Sequence, residues 1–254
     1  MTALEVLPLR WDAPASVGAL MTTRAGGVSA EPCDALNLGL SVGDDPVSVH
    51  ANRQRVEARV GRPVVWPNQV HGTEVRRVGR RDAGTAMPPA DALWTDEDGV
   101  ALAVLVADCL PVLLSARDGR AVAVAHAGWR GLAAGVLEST LRALQQGCGC
   151  RAAELVAWLG PCIGPRHFEV GADVLRAFGD ASGVDSAFRW QPRSDGSPRW
   201  RADLPALARQ RLRALGVDAI GGGEHCTYED RLRFFSHRRD GRTGRQAALV
   251  WRQG

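Results

Sequence analysis

The chain has 254 residues, 45% hydrophobic and 23% charged, the balance of a globular protein with a sizeable core. Its formal net charge of +3 is too small to call for a nucleic-acid or anionic-membrane partner. All 31 basic residues are arginine, which excludes Schiff-base lysines, a Walker-type phosphate lysine and a Ser-Lys dyad; any anion is left to arginine, main-chain amides or a metal.

The opening MTALEVLPLRWDAP lacks the charged start and long apolar core of a signal peptide, and no run reaches the ~20 apolar residues of a membrane span. A cytoplasmic location is expected, so the six cysteines are read as free thiols or metal ligands rather than disulfides. Residues 17–24 read as a strand, followed by a long Gly-, Ser-, Pro- and Asp-rich loop of the kind that often carries function. A helix is predicted from Pro46 to about Gly61, with Pro at its start and Gly at its end. PVVWPNQVHGTEVRRV then reads as strand, turn, strand. GVALAVLVADCLPVLLSA is a continuous apolar run, the pattern of a strand buried on both faces. After the Asp118-Gly119 turn, RAVAVAHAG is the next strand, and GLAAGVLESTLRALQQG is an amphipathic helix closed by Gly147. A strand at 154–160, a helix from about Gly171, a polar exposed insert at 180–200, a helix at 203–215 and a short strand complete the order. The SHRR segment reads as a hairpin or loop leading to a final strand. No linker separates two cores, so 1–254 is read as one domain of mixed strands and helices.

Three polar groups stand out at the apolar strand ends: Cys109 at the end of one strand, His126 at the end of another, and His71 in the turn NQVHG. A thiolate and two imidazoles suit zinc or copper, and three protein ligands leave one coordination position open, as a catalytic zinc requires. The residues alone leave two readings: a metal centre, or a buried thiol beside ordinary loop histidines. HAGWRG likewise reads either as an anion site, with Arg130 beside a helix N-terminus, or as a tight strand-to-helix turn. The arginines of FFSHRRDGRTGR read first as a solvated face, GPCIGPRHFEVG as a rigid structural loop, and Cys148-Gly149-Cys150 as a surface loop. HExxH, GxSxG, a strand-borne GxGxxG and the nucleobase-deaminase signature are all absent, which weighs against metalloproteases, α/β-hydrolases, Rossmann enzymes and that deaminase fold.

Taken together, TTRAGGVS…LNLGLSVGDDP…NR, NQVHG, ADCLPVL, HAGWRG, GPCIGPRHFEVG and FFSHRRDGRTGRQAALVW resemble the laccase-domain family. This family is also called multi-copper polyphenol oxidoreductase and includes purine nucleoside phosphorylases. The resemblance covers nearly the whole chain. Cys33 stands where relatives commonly have an aromatic residue, and Leu132 where Thr is common, neither at a proposed ligand. The resemblance implies an α+β, four-layer α/β/β/α sandwich with mixed sheets, similar to the catalytic domain of cytotoxic necrotizing factor. It implies zinc on His71, Cys109 and His126, with copper as the alternative metal. It also implies phosphorolysis of adenosine, inosine and methylthioadenosine, with adenosine deaminase side activity. Purine nucleosides and phosphate are then the expected partners, with no nucleic acid and no membrane.

The residues test these options. A multi-copper oxidase needs many histidines, and this chain has six, so a single ion is what it can supply. A phosphorylase needs an anion site, for which Arg24, Arg130 and Arg238 are candidates, and groups to read the nucleoside, for which Asn37 and Gln69 are candidates. A metal-free alternative makes Cys109 a nucleophile, His126 its base and His71 an orienting group, in an amidase editing peptidoglycan precursors. Zinc on the same thiolate blocks that chemistry, so the two readings compete for Cys109.

Overall fold

The long apolar run around Cys109 is two strands in two different sheets. In the computed structural model, which describes residues 4–179 and 187–253, the run breaks at Ala107-Asp108-Cys109 between strands Ala101–Val106 and Leu110–Ala116. Asp108 sits at φ 92°, a left-handed conformation that turns the chain out of one sheet and into the other. Its carboxylate is held by Thr227 Oγ1 and by the Arg238 main-chain N–H, each 2.6 Å away. The one charged residue that marks this break in the run is Asp108 itself, because both strands are almost wholly buried.

The first sheet has five strands in the order Val6–Leu7, Val17–Thr22, Gln246–Arg252, Ala101–Val106, Val64–Val65. All neighbours are antiparallel except the last pair. The second has six, in the order Ala219–Gly222, Leu155–Leu159, Leu110–Ala116, Val122–Ala127, Ala92–Thr95, Val75–Arg77. Its inner pairs are antiparallel and its two outermost pairs parallel. Val64–Val65 and Val75–Arg77, expected as strand-turn-strand, thus belong to separate sheets. A small antiparallel sheet joins Glu169–Val170, Trp200–Ala202 and Phe188–Trp190. The segment expected as an exposed insert therefore contains sheet; its part at 180–186 lies outside the described residues.

Among the described residues six α-helices accompany the sheets: α1 (Pro46–Val60), α2 (Trp129–Ala134), α3 (Val136–Cys148), α4 (Ala172–Ala177), α5 (Leu204–Ala214) and α6 (His237–Asp240). Helix α1 starts as its sequence predicts, with the Asp45 carboxylate accepting from the Val47 and Ser48 N–H groups. The single helix expected from Gly131 is two helices, broken at Gly135, and α3 runs past Gly147 to Cys148. Gly147 serves packing instead of termination: a Cβ there would lie 2.1 Å from the Trp94 ring. The SHRR segment is the short helix α6, not a hairpin.

Three apolar clusters follow from these strands. Met21, Leu102, Val104 and Val250 of the first sheet meet Leu93, Leu113, Val124 and Trp158 of the second. The alternate residues of the second sheet, such as Val112, Leu114 and Ala125, pack with Leu137, Leu144, Leu204 and Leu212 of α3 and α5. The alternate residues of the first, such as Leu20, Ala103 and Leu249, pack with Val56 and Val60 of α1. This period-two division is why the central strands read as unbroken apolar runs. The result is a mixed α/β single domain with several mixed sheets. Among the described residues no helix is long and apolar enough to cross a membrane.

Candidate metal centre

His71, Cys109 and His126 converge, with one donor atom from each lying within 4.8 Å of the others. Cys109 does not end a strand as expected; it stands at the crossing between the sheets, just before Leu110–Ala116. His126 is the penultimate residue of Val122–Ala127, fully enclosed, and its strand pairs with the one that follows Cys109. His71 reaches in from an exposed turn with φ 62°. Its Nε2 lies 3.9 Å from Cys109 Sγ, and its ring meets that of His126 edge-on at 4.8 Å.

One buried carboxylate organises both histidines. Asp91 Oδ1 accepts from His126 Nδ1 at 2.8 Å, leaving Nε2 of that ring to face the thiolate. The same carboxylate accepts three main-chain N–H groups of the His71 turn: Val70 at 3.1 Å, His71 at 2.9 Å and Gly72 at 2.7 Å. That satisfies the donors of a tight turn and supports the left-handed backbone at His71. Burial pushes the Asp91 carboxyl up, but these bonds and the His126 charge outweigh it and hold it below the usual range.

The metal-free site is an ion pair. Burial alone would push the Cys109 thiol up; the His126 charge and the hydrogen bonds from His126 and His71 outweigh it and bring it down to about 6. Burial would likewise push His126 down, but the Cys109 thiolate and Asp91 raise it to about 9. Gly128, after the His126 strand, leaves the room: a Cβ there would stand 2.9 Å from Cys109 Sγ and 3.3 Å from His71 Cδ2. The HAGWRG glycine at 128 thus admits the sulfur, while Arg130 stacks 4.3 Å from the Trp129 ring.

A cavity of about 590 Å³ opens over the three side chains. Its walls include Trp66, Met87 and Leu105, and its polar groups include Gln69, Arg53, Arg245 and His237. Of the expected substrate contacts, Gln69 lines this cavity, with its amide bonded both ways to the Leu105 main chain. Asn37 is buried behind the wall, where it ties Gly39, Asp44 and the Arg245 N–H together. Arg24 is paired with Asp34 at 3.1 Å, and Arg238 lies over Phe168 and donates to the Glu169 carbonyl; neither these two nor Arg130 lines the cavity.

Sequence reasoning did not single out Asp91 or Arg53, and it read Arg245 as part of a solvated face, whereas it lines the cavity. The signal for Asp91 was a lone carboxylate opening the apolar stretch ALWT, where only a paired acid is stable. Both arginines fall within family-like motifs, Arg53 in NR and Arg245 at the end of FFSHRRDGRTGR, but the motifs do not say which arginines reach the cavity.

The sequence model of the multi-copper polyphenol oxidoreductase laccase family matches residues 18–253. The chain belongs to this family. A purine nucleoside phosphorylase of Pseudomonas aeruginosa is 49% identical, with 96% of each chain covered. Purine nucleoside phosphorylase YfiH of Escherichia coli is 45% identical over 95% of this chain and 96% of its own. Among solved structures, protein NMB0706 of Neisseria meningitidis superimposes with a TM-score of 0.90 at 48% identity, covering 98% of this chain and 99% of its own. YlmD of Geobacillus stearothermophilus gives 0.86 at 36% identity, covering 94% and 93%.

Proposed function

We propose that this family member is a zinc-dependent purine nucleoside phosphorylase acting on adenosine, inosine and methylthioadenosine, with adenosine deamination as a side activity. The observation that carries the reading is that two imidazoles, not one, aim at a single thiolate beneath a cavity. A cysteine hydrolase uses one imidazole as base, whereas a metal uses both as ligands. The names of the relatives point to the same chemistry. The borderline-soft sulfur and nitrogen donors fit Zn²⁺, with copper as the alternative. Among the described residues this is the one group of three or more such side chains, which suits a single ion rather than a multi-copper cluster. The four-layer α/β/β/α arrangement, its likeness to cytotoxic necrotizing factor, one working domain over 1–254 and a cytoplasmic location belong to the same proposal.

In phosphorolysis a phosphate oxygen bonds to the ribose C1′ as the bond from C1′ to the purine nitrogen breaks, and the purine departs with a proton. The bound ion supplies a Lewis acid. Asp91 keeps the His126 proton on Nδ1, so Nε2 is free to act as a ligand. Trp66, Met87 and Leu105 offer apolar surface to a purine and exclude water from one side of the cavity. Gln69 is retained as a nucleoside contact; Arg24, Asn37, Arg130 and Arg238 act in the surrounding structure.

The same geometry keeps the hydrolase alternative concrete, because Asp91, His126 and Cys109 form an orienter-base-nucleophile chain. One preparation separates the two. Wild type and Cys109→Ala are purified without chelator, zinc and copper are quantified, and each is incubated with adenosine with and without phosphate. About one zinc per wild-type chain, none in the variant, and phosphate-dependent adenine release are expected. A metal-free wild type that releases no adenine and carries a readily alkylated Cys109 would overturn the phosphorylase in favour of the amidase.

A further inference from the structure

We infer that Arg53 and Arg245 form the orthophosphate subsite of the cavity, an inference that rests on the phosphorylase reading. Among the described residues, the cavity over His71, Cys109 and His126 is lined by two arginines and no carboxylate. Neither arginine makes an ion pair with an acidic side chain among those residues. Unpaired cations gathered in a half-enclosed apolar pocket are a costly arrangement unless an anion completes it.

Each guanidinium group is anchored on main-chain carbonyls, Arg53 on that of Leu38 and Arg245 on those of Thr243 and Gly244, leaving donors over. Arg53, from α1, donates Nε to the Leu38 carbonyl at 3.0 Å and lies 4.5 Å from the Trp66 ring centroid. Its terminal nitrogens have no protein partner among the described residues. Glu57, one turn along α1, accepts from the Val64 N–H and makes no ion pair with Arg53, though its charge offsets part of the effect of burial there. Arg245 donates Nη1 to the Thr243 and Gly244 carbonyls at 2.9 Å, while its main-chain N–H and C=O bond Asn37 and Leu38. Its stem lies across Gly39, where a Cβ would stand 2.8 Å from Arg245 Cγ. Its remaining nitrogens are uncommitted, and it is near enough to Cys109 for the thiolate to offset part of the effect of burial. Burial pulls both arginines down, Arg53 to about 10.

Two anchored forks with spare donors on one cavity wall, one of them over an indole, suit a tetrahedral dianion. A neutral purine has no use for two cations, whereas Trp66, Met87 and Leu105 offer it apolar surface. The phosphoryl dianion could arrive as free orthophosphate or as the 5′-phosphate of a nucleotide; the co-substrate of phosphorolysis is the former.

The test uses the zinc-loaded enzyme. Phosphate and adenosine are varied separately for wild type, Arg53→Gln and Arg245→Lys, and inorganic phosphate binding is followed by 31P line broadening with AMP as competitor. Metal content and Tm check that each variant is folded; Arg245→Lys keeps the charge at its position. Arg53→Gln is expected to raise the phosphate KM about ten- to hundredfold, and Arg245→Lys about tenfold, with adenosine KM changed less than about twofold. An unchanged phosphate KM in both variants overturns the subsite. AMP binding at least about tenfold tighter than phosphate, with that preference lost in Arg53→Gln, overturns orthophosphate in favour of a nucleotide. If wild type releases no adenine but its phosphate broadening disappears in both variants, the subsite stands and the phosphorylase reading falls.

Discussion

Asp91 and His126 are joined by a 2.8 Å bond from Nδ1 to Oδ1, and the same carboxylate gathers the main-chain N–H groups of the turn that carries His71. One fully enclosed side chain therefore sets the ring orientation of one candidate ligand and the backbone of another. Asp91→Asn should lower zinc affinity about ten- to hundredfold, measured by competition with a chromophoric chelator. Asp91→Ala should also cost several kcal/mol of stability, about 1–3 for each stranded donor, read from urea unfolding of the metal-free protein. The carboxyl is held below its ordinary value, so its contribution is present above about pH 4 and is lost only as pH falls through the depressed value.

Zinc should displace a proton. The metal-free site pairs a thiolate, with its thiol at about 6, with an imidazolium at about 9. A ligand must be deprotonated, so between these values binding releases the His126 proton. Apparent affinity should rise about tenfold per pH unit in that window and level off above it; below it the thiol proton competes too, and the fall steepens. Calorimetric titration near neutral pH, in buffers of different ionisation enthalpy, should show about one proton released.

Chelated protein should be alkylated at Cys109 at a rate already near its plateau at neutral pH and falling as pH drops through about 6. Burial pushes Cys162 well up, and burial with the neighbouring Cys148 thiol pushes Cys150 up to about 12, so both should stay unmodified. Peptide mapping after iodoacetamide treatment gives the order, and zinc should protect Cys109 selectively.

Gly128→Ala should damage the site while sparing the fold. Its φ of −61° suits alanine, but the new methyl would press on Cys109 Sγ and the His71 ring. Zinc content should fall, with the Tm of the metal-free protein close to wild type.

The three candidate ligands were legible because a thiol and two imidazoles stand out against apolar strands and loops poor in such groups. Their partners were not. Asp91 matters through main-chain N–H groups twenty residues away, which composition does not encode. The two-sheet crossing at Asp108 was hidden because both flanking strands are buried on both faces, and the turn is held by Thr227 and Arg238, far along the chain. Arginine candidates were chosen by motif, but side chains such as Arg24 and Arg238 are consumed by Asp34 and the Glu169 carbonyl. Arg53 and Arg245 qualify through what they are not bonded to, which only three dimensions reveal.

Strand Gln246–Arg252 is made after the other four strands of the five-stranded sheet, yet it sits in the middle, between Val17–Thr22 and Ala101–Val106. A nascent chain therefore carries His71, Cys109 and His126 long before it can close the sheet beneath them. Until residue 252 clears the ribosome, two apolar strand edges face an empty slot, and any sticky segment of another chain can fill it. Growth of the polypeptide is thus a stretch of exposure to aggregation, and a chain cut short just before this strand keeps every ligand yet lacks the frame that brings them together.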